Sequence, residues 1–206
     1  VRRDTNGSFL HMQIADSTHD YLNMTWYKEG LTANNGRWTE PYIDHDGAQG
    51  MICTYCFPVR NAKGEVVAVF GADLSLNWLT DEFVTGQNTK SYAFIVSREG
   101  RILACPDKSK IMNYTLGDAD LDFQDTTIRS VNKAMLAGES GKAEVKDNNN
   151  ELAYMYYSPV GGRTGWSMAI LYPDRVIYKG LRSVALKLAV LMLFGLALMV
   201  YIMWRT

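Results

Sequence analysis

The sequence is poor in several features that mark large classes of proteins. Of its 206 residues only three are cysteine and three are histidine, and the formal net charge is −1. The lysines and arginines are scattered, without a zinc-finger, RNP or basic-helix pattern, so the sequence does not indicate nucleic-acid binding. Cys53 and Cys56 are three residues apart in an expected strand and should point to opposite faces. We therefore expect buried thiols rather than a disulfide or a zinc site.

The sequence also lacks the motifs that supply catalytic or phosphate-binding groups. The histidines form no His-x-x-x-His pair, and neither a Gly-x-Ser-x-Gly elbow nor a Gly-x-Gly-x-x-Gly loop occurs. The acidic run over residues 118–125 departs from a calcium-binding loop, because Phe123 replaces the glycine and Arg129 replaces the closing glutamate. We predict no catalytic residue, no metal site and no cofactor.

Long apolar runs, by contrast, are present. Hydrophobic residues make up 47% of the chain and aromatic residues 12%, which excludes a disordered protein. Residues 184–204 carry one charge, Lys187, and about 20 apolar residues suffice to cross a bilayer as a helix. Tyr201 and Trp204 stand where interfacial aromatic anchors are found. The sequence predicts a transmembrane helix here rather than a buried core helix.

An internal repeat predicts an α+β fold with antiparallel sheets. The segment Tyr157-Ser158-Pro159-Val160 follows Cys56-Phe57-Pro58-Val59 at an offset of 101 residues. An aspartate stands fifteen residues after each of the two prolines, Asp73 in the first copy and Asp174 in the second. Two copies of hairpin, helical insert and hairpin indicate two similar modules. We predict modules over residues 1–87 and 88–175 and a signalling helix over residues 176–206.

The repeat also predicts which strand residues are buried. Val69 and Ala72 in the first module, and Ala169 and Leu171 in the second, should lie beneath the helical inserts.

A helix is expected over residues 126–137. The loop over residues 109–116, which has no Trp-Tyr pair, is predicted to be structural rather than ligand-binding.

The segment from Trp26 to Asp73 interleaves aromatic rings with carboxylates. Rings supply apolar walls and cation–π faces, and carboxylates anchor an ammonium group. Tyr42 stands fifteen residues after Tyr27, Asp44 follows two residues later, and Asp73 closes the next hairpin. This pattern resembles the amino-acid-binding double Cache sensors, which are extracytoplasmic, PAS-like modules of bacterial transmembrane receptors. The resemblance covers roughly residues 1–180.

The resemblance implies a ligand site. It assigns ligand binding to five residues: Trp26, Tyr27, Tyr42, Asp44 and Asp73. Two positions depart from the pattern, because Met24 replaces the arginine that would hold a ligand carboxylate and His19 replaces an early tyrosine. A thioether donates no hydrogen bond, so we expect an amine to be preferred over a free amino acid. Arg37 is an alternative carboxylate anchor.

The resemblance further implies the extracytoplasmic sensing part of a bacterial receptor. Two tandem PAS-like modules, the first truncated at its N-terminus, would precede the transmembrane helix that carries the signal inward. We expect residues 1–180 in the periplasm, the helix in the inner membrane, and a homodimer. The runs at residues 38–42 and 72–79 most resemble receptors with a sigma-factor-regulating serine phosphatase output, with histidine kinases and chemoreceptors as alternatives.

Two other functions stay open at this point. One is a membrane-anchored extracytoplasmic enzyme that uses Asp44 and Asp73 as acid and base. The other is a structural spacer that binds no ligand.

Overall fold

The computed structural model describes residues 2–3, 9–11, 20–45, 49–85, 91–123, 125–147 and 150–205. The predicted module boundary near residues 87 and 88 lies outside the described residues, as does His19. The chain divides into two compact units, one of residues 1–40 and 52–74 and the other of residues 41–51 and 75–206.

The described residues up to Ser75 form six strands, four of them only two or three residues long, and one α-helix. Strands β1 (Arg2–Arg3) and β2 (Phe9–His11) form an antiparallel pair. A 3₁₀ turn precedes helix α1 (Thr25–Thr32). A four-stranded sheet has the order β3 (Arg37–Trp38), β5 (Gly50–Arg60), β4 (Tyr42–Asp44), and β6 (Val66–Ser75) also pairs with β5.

A tight turn joins β5 to β6 and confirms the predicted hairpin. The Asn61 side-chain oxygen accepts hydrogen bonds from the backbone N–H groups of Lys63 and Glu65, at 2.9 and 3.0 Å. Gly64 adopts φ +84°, a conformation that glycine reaches without steric cost. Arg60 donates to the Ala33 carbonyl oxygen at 3.0 Å, which ties the hairpin to the end of α1.

Helix α1 packs closely on β5 and β6. Gly30 is buried, and a Cβ atom placed there would collide with a Val69 methyl group and touch Cys56. One turn earlier on the same helix face, the Trp26 ring lies where a Cβ at Gly71 would be 3.4 Å from it. The face of β6 that carries Val69 and Gly71 is therefore the face that α1 covers.

The burial prediction for β6 is correct in part. Val69 is half-buried, whereas Ala72 is exposed and Phe70 retains 59% of its surface. Side chains alternate along a strand, so positions 69 and 72, three residues apart, cannot both face α1. The prediction for Ala72 is wrong for that reason. Because β6 is largely exposed, its burial gives no support to the count of two modules.

The second unit is organised by a five-stranded antiparallel sheet. Its order is β8 (Ile102–Ala104), β7 (Tyr92–Val96), β11 (Ser167–Pro173), β10 (Leu152–Pro159), β9 (Gly141–Lys146). Ala169 is fully buried in β11 and Leu171, two residues on, is half-buried on the same face. Helix α2 (Leu76–Thr80) begins at Ser75, whose hydroxyl accepts from the Trp78 N–H. It continues as a π-helical turn over Asp81–Thr85.

Two further helices belong to this unit, of which one packs against the sheet and the other packs against that helix. The sequence predicted one of them, α4 (Thr126–Leu136), whose first turn is capped by Asp125 accepting from the Thr127 N–H at 2.7 Å. Its buried residues Ile128, Val131 and Met135 form one stripe at helical spacing. The other helix, α3 (Leu116–Phe123), occupies part of the acidic run and was not predicted.

The chain ends in a long apolar helix, α5 (Asp174–Arg205), which begins directly after the last residue of β11. Residues Val184–Arg205 have the length and composition of a membrane span, with a mean hydropathy of 2.3, and none of the span is buried in the structure. This agrees with the span predicted over residues 184–204.

Candidate ligand-binding site

Helix α1 presents two of the predicted ligand residues in an aromatic cluster. The Trp26 and Tyr27 rings meet edge to face, with centroids 5.7 Å apart. Tyr21 in turn packs edge to face on Tyr27, at 5.3 Å. Edge-to-face contacts of this kind hold rings in fixed orientations. Trp26 and Tyr27 are both half-buried, so part of each ring is accessible.

Met24, at the position of the missing arginine, contacts this cluster. Its sulfur accepts a hydrogen bond from the Trp26 indole N–H at 3.3 Å. A thioether accepts but cannot donate, so the residue orients Trp26 and offers nothing to a carboxylate. The sequence motif identified Met24 as a departure, and the structure shows what the methionine contacts.

Asp73 lies on the α1-facing side of β6, two residues after Gly71. Its Oδ1 atom accepts a hydrogen bond from the Thr54 hydroxyl at 2.7 Å. Thr54 is buried, whereas Asp73 is exposed. A rigid donor beneath an accessible carboxylate fixes the direction of that carboxylate. The sequence analysis did not include Thr54, although it lies on the strand that pairs with β6.

The alternative carboxylate anchor, Arg37, already has a partner. Its Nε lies 3.2 Å from a Glu29 carboxylate oxygen. Glu29 is three residues after Trp26 on α1, and the sequence motif did not include it. The ion pair offsets the charge that Arg37 would offer to a ligand carboxylate.

The remaining two predicted residues lie in the second unit. Tyr42 and Asp44 are on β4, both half-buried, and the intervening Ile43 is exposed. The structure therefore brings Trp26, Tyr27 and Asp73 to one side of the first unit. That Asp44 joins them at one ligand stays a prediction.

The thiols near the candidate site are buried and unpaired, as predicted. All three cysteines are free and buried. Burial raises the pKa of Cys53 to about 12, with a further contribution from the Glu40 charge. Burial and the charges of Glu29 and Asp73 raise the pKa of Cys56 to about 12. In the described part of the chain no three histidine, cysteine, aspartate or glutamate side chains cluster closely enough to hold a metal ion.

The second unit contains a cavity of about 480 Å³. Lys110, Tyr114 and Leu116, from the loop that was predicted to be structural and the start of α3, lie in its wall. The other polar wall residues include Asn132, Lys146 and Asp147. The sequence carried no motif for this cavity, because its walls come from five strands and two helices that are distant in the chain.

The fold agrees with a comparison against known families. The model of the Cache domain matches residues 4–181. The chain belongs to the Cache domain family. The resemblance read from Trp26 to Asp73 is thereby confirmed at the level of the family.

The relatives of this chain include bacterial chemoreceptors. The methyl-accepting chemotaxis protein PctB of Pseudomonas aeruginosa is 28% identical over 172 residues, which is 81% of this chain and 25% of PctB. This chain thus spans a quarter of that relative. Chemoreceptor sensor domains are not enzymes themselves, which fits a non-enzymatic Cache domain here and disfavours the enzyme alternative.

Solved Cache structures are similar in fold. The ligand-binding domain of the Pseudomonas fluorescens chemoreceptor CtaA, in complex with L-leucine, matches with a TM-score of 0.60 and 27% identity, over 84% of this chain and 68% of that one. The ligand-binding domain of PctB from P. aeruginosa, in complex with L-Arg, matches with a TM-score of 0.63 and 24% identity, over 90% and 69%. The second likeness shows the fold alone.

Proposed function

We propose that this chain is the ligand-sensing part of a bacterial transmembrane receptor and that its first unit binds a small ligand through an ammonium group. The observation that carries the proposal is the Asp73 carboxylate. Thr54 orients it on the face of the sheet against which the Trp26 ring of α1 packs. Carboxylates and aromatic faces are the groups that bind an ammonium ion. That CtaA is seen with L-leucine, a ligand with an ammonium group, supports the class.

The ligand is an amine rather than a free α-amino acid. At the arginine position Met24 has no donor, and Arg37 is paired with Glu29. A ligand carboxylate placed beside aspartates without a cationic partner would bear a desolvation cost of several kcal/mol. The sequence pattern adds Tyr42 and Asp44 to the proposed ligand residues.

The proposal places two tandem modules, residues 1–87 and 88–175, outside the cytoplasm, with α5 crossing the inner membrane. The family match and the candidate span at Val184–Arg205 support this arrangement. A homodimer is part of the same proposal. A chemoreceptor output is the better supported one, because the relatives reported above are chemoreceptors; none of them supports the predicted serine phosphatase output.

A matched pair of ligands tests the proposal. 3-Methylbutylamine is L-leucine without its carboxylate, so the two differ only in the group that Met24 cannot hold. In calorimetry on the full chain in nanodiscs, the amine should bind at least tenfold more tightly than L-leucine, about 1.4 kcal/mol. Tighter binding of L-leucine, or no binding of either, would contradict the ligand class. Mass spectrometry of the recovered amine should show it unchanged; a product would favour the enzyme.

A further inference from the structure

The cavity of the second unit has the properties of a ligand site. Its volume of about 480 Å³ lies within the range of about 300–1,000 Å³ that small-molecule pockets occupy. It lies between one face of the sheet, through Phe94, Val145 and Met155, and the helices α3 and α4, through Leu116 and Ile128. These apolar walls suit a ligand with an apolar body.

The charges in the wall favour an anion. Two lysines, Lys110 and Lys146, line the cavity, against one carboxylate, Asp147. One Asp147 oxygen already accepts the Glu151 backbone N–H at 3.0 Å, so that carboxylate is held by its own turn. The wall therefore carries one positive charge in excess, and a single carboxylate on the ligand would neutralise it.

Lys110 is the better placed of the two lysines. It is half-buried, whereas Lys146 is exposed. Its ammonium lies 4.7 Å from the centre of the Tyr114 ring, another wall residue, and this cation–π contact restrains the ammonium at the cavity. Asp107, the neighbouring carboxylate, is outside the wall, and one of its oxygens accepts from the Ser109 N–H and hydroxyl, at 3.1 and 2.6 Å.

The two copies of the internal repeat differ in the residues that they place at this cavity and at the amine site. The offset of 101 residues places Val145 at the position of Asp44. Val145 is buried and lines the cavity, so the second copy has an apolar contact where the first has a carboxylate. The repeat keeps an aspartate only at the Asp73 position, as Asp174, which is outside the cavity wall, so a copy of the ammonium site with both carboxylates is not expected in the second unit.

We propose that the cavity of the second unit is a second ligand site, which binds a small apolar monocarboxylate with Lys110 as its anchor. Leu171 and Pro173 of β11 line the same cavity, and α5 begins at the next residue, Asp174. A ligand in the cavity thus contacts the strand end from which α5 starts. The proposal is independent of the ammonium site in the first unit.

Three probes that share one ring test the class of ligand. Phenylacetate carries the carboxylate, 2-phenylacetamide is neutral and 2-phenylethylamine is cationic. In calorimetry on the full chain in nanodiscs, with empty nanodiscs subtracted, phenylacetate should bind at least tenfold more tightly than either of the other two. Equal binding of all three, or preference for the cation, would overturn the proposal, as would failure of the folded protein to bind phenylacetate.

Variants locate the site. Lys110→Gln should weaken phenylacetate binding at least tenfold, whereas Lys133→Gln, a loss of an exposed lysine on α4 outside the wall, should leave it unchanged. Ala119→Leu fills the cavity and should also reduce binding at least tenfold, with circular dichroism showing that each variant is folded. Binding that is unaffected in both folded wall variants would refute the assignment.

A crossed measurement separates this site from the proposed amine site. Lys110→Gln should leave 3-methylbutylamine binding unchanged, and Asp73→Asn should leave phenylacetate binding unchanged. If 3-methylbutylamine does not bind but phenylacetate binds as expected, only the proposed site in the first unit is contradicted. A phenylacetate affinity that depends on Asp73 and not on Lys110 would overturn the second site.

Discussion

Arg175, in the first turn of α5, forms an ion pair with Glu151, with 3.1 Å between Nη1 and Oε2. The Glu151 backbone N–H donates in turn to the Asp147 carboxylate, which lines the cavity. The start of the apolar helix is thereby tied to one wall of the proposed second site. Both side chains of the ion pair are about half exposed, at 55% and 49%, so the link can open without unfolding the sheet.

This ion pair should contribute little to stability. Exposed pairs are typically worth about 0.2–1 kcal/mol, because water and salt screen the attraction. In a double-mutant cycle of Arg175→Gln and Glu151→Gln, thermal unfolding should give a coupling energy in that range, and the coupling should shrink at high salt. A coupling energy of several kcal/mol would show that the pair is structural.

Removal of the Asp73 charge should abolish the preference for amines. Asp73→Asn keeps the size of the side chain and its contact with Thr54 but removes the charge that would bind an ammonium group. We expect at least tenfold weaker 3-methylbutylamine binding by calorimetry, about 1.4 kcal/mol, and the same for Asp44→Asn. Glu82→Gln, which removes an exposed carboxylate in the second unit, is the matched control and should bind normally.

Restoration of an arginine at position 24 should broaden the ligand range. Met24→Arg supplies the donors that a ligand carboxylate needs, at the position where the sensor pattern has an arginine. The ratio of L-leucine to 3-methylbutylamine affinity should rise at least tenfold. Met24→Leu, which removes the sulfur that accepts from Trp26 without adding a charge, should not raise that ratio. If the Met24→Leu variant also raises that ratio, the packing of Trp26 rather than charge sets the preference.

Labelling should show that the two ends of α5 lie on opposite sides of the membrane. The native cysteines are buried, so a maleimide that cannot cross membranes should report on an introduced thiol. Cysteine at the exposed position of Glu139 should react in intact spheroplasts, whereas cysteine at Arg205 should react only after lysis. Lys179 and Arg182 precede the span and Lys187 lies near its start, a charge bias that alone favours the opposite orientation. The reverse labelling pattern would place the Cache domain in the cytoplasm.

The buried thiols should make the first unit sensitive to alkali. In the folded state Cys53 and Cys56 have pKa values of about 12, whereas thiols in the unfolded chain ionise near pH 9.0. Stability should therefore be unaffected below about pH 8 and should fall as the pH rises from about 9 towards 12. The thermal midpoint should drop between about pH 7.5 and about pH 10 by less in the Cys53→Ala, Cys56→Ala variant than in the wild-type chain. An equal drop would attribute the effect to other groups.

Local signals predicted much of the fold. The β5–β6 turn follows from Asn61 and Gly64, and the start of α4 follows from the capping Asp125, because both depend on residues close in sequence. The apolar span within α5 could be predicted from its length and composition alone. The incorrect prediction that Ala72 is buried could have been avoided. Side chains alternate along a strand, so Ala72 cannot lie on the same face as Val69.

The sites were predictable only where one segment carried the pattern. The spacing from Trp26 to Asp73 is a linear signal, and the structure brings Trp26, Tyr27 and Asp73 to one side of the first unit. The roles of Thr54 and Glu29 depend on contacts between elements, which no short motif contains. The second cavity is space left between packed elements, and its volume depends on the packing rather than on any stretch of residues.

The three free thiols have a consequence for how the chain is made. On the proposed side of the membrane the environment is oxidising, and exposed cysteine pairs there are converted to disulfides. Cys53 and Cys56 are near enough in sequence to be joined while the chain is still unfolded, yet in the folded protein both are buried and free. During export, folding of the β5 strand therefore competes with disulfide formation. In a chain that folds too slowly, a Cys53–Cys56 disulfide would prevent β5 from joining its native sheet.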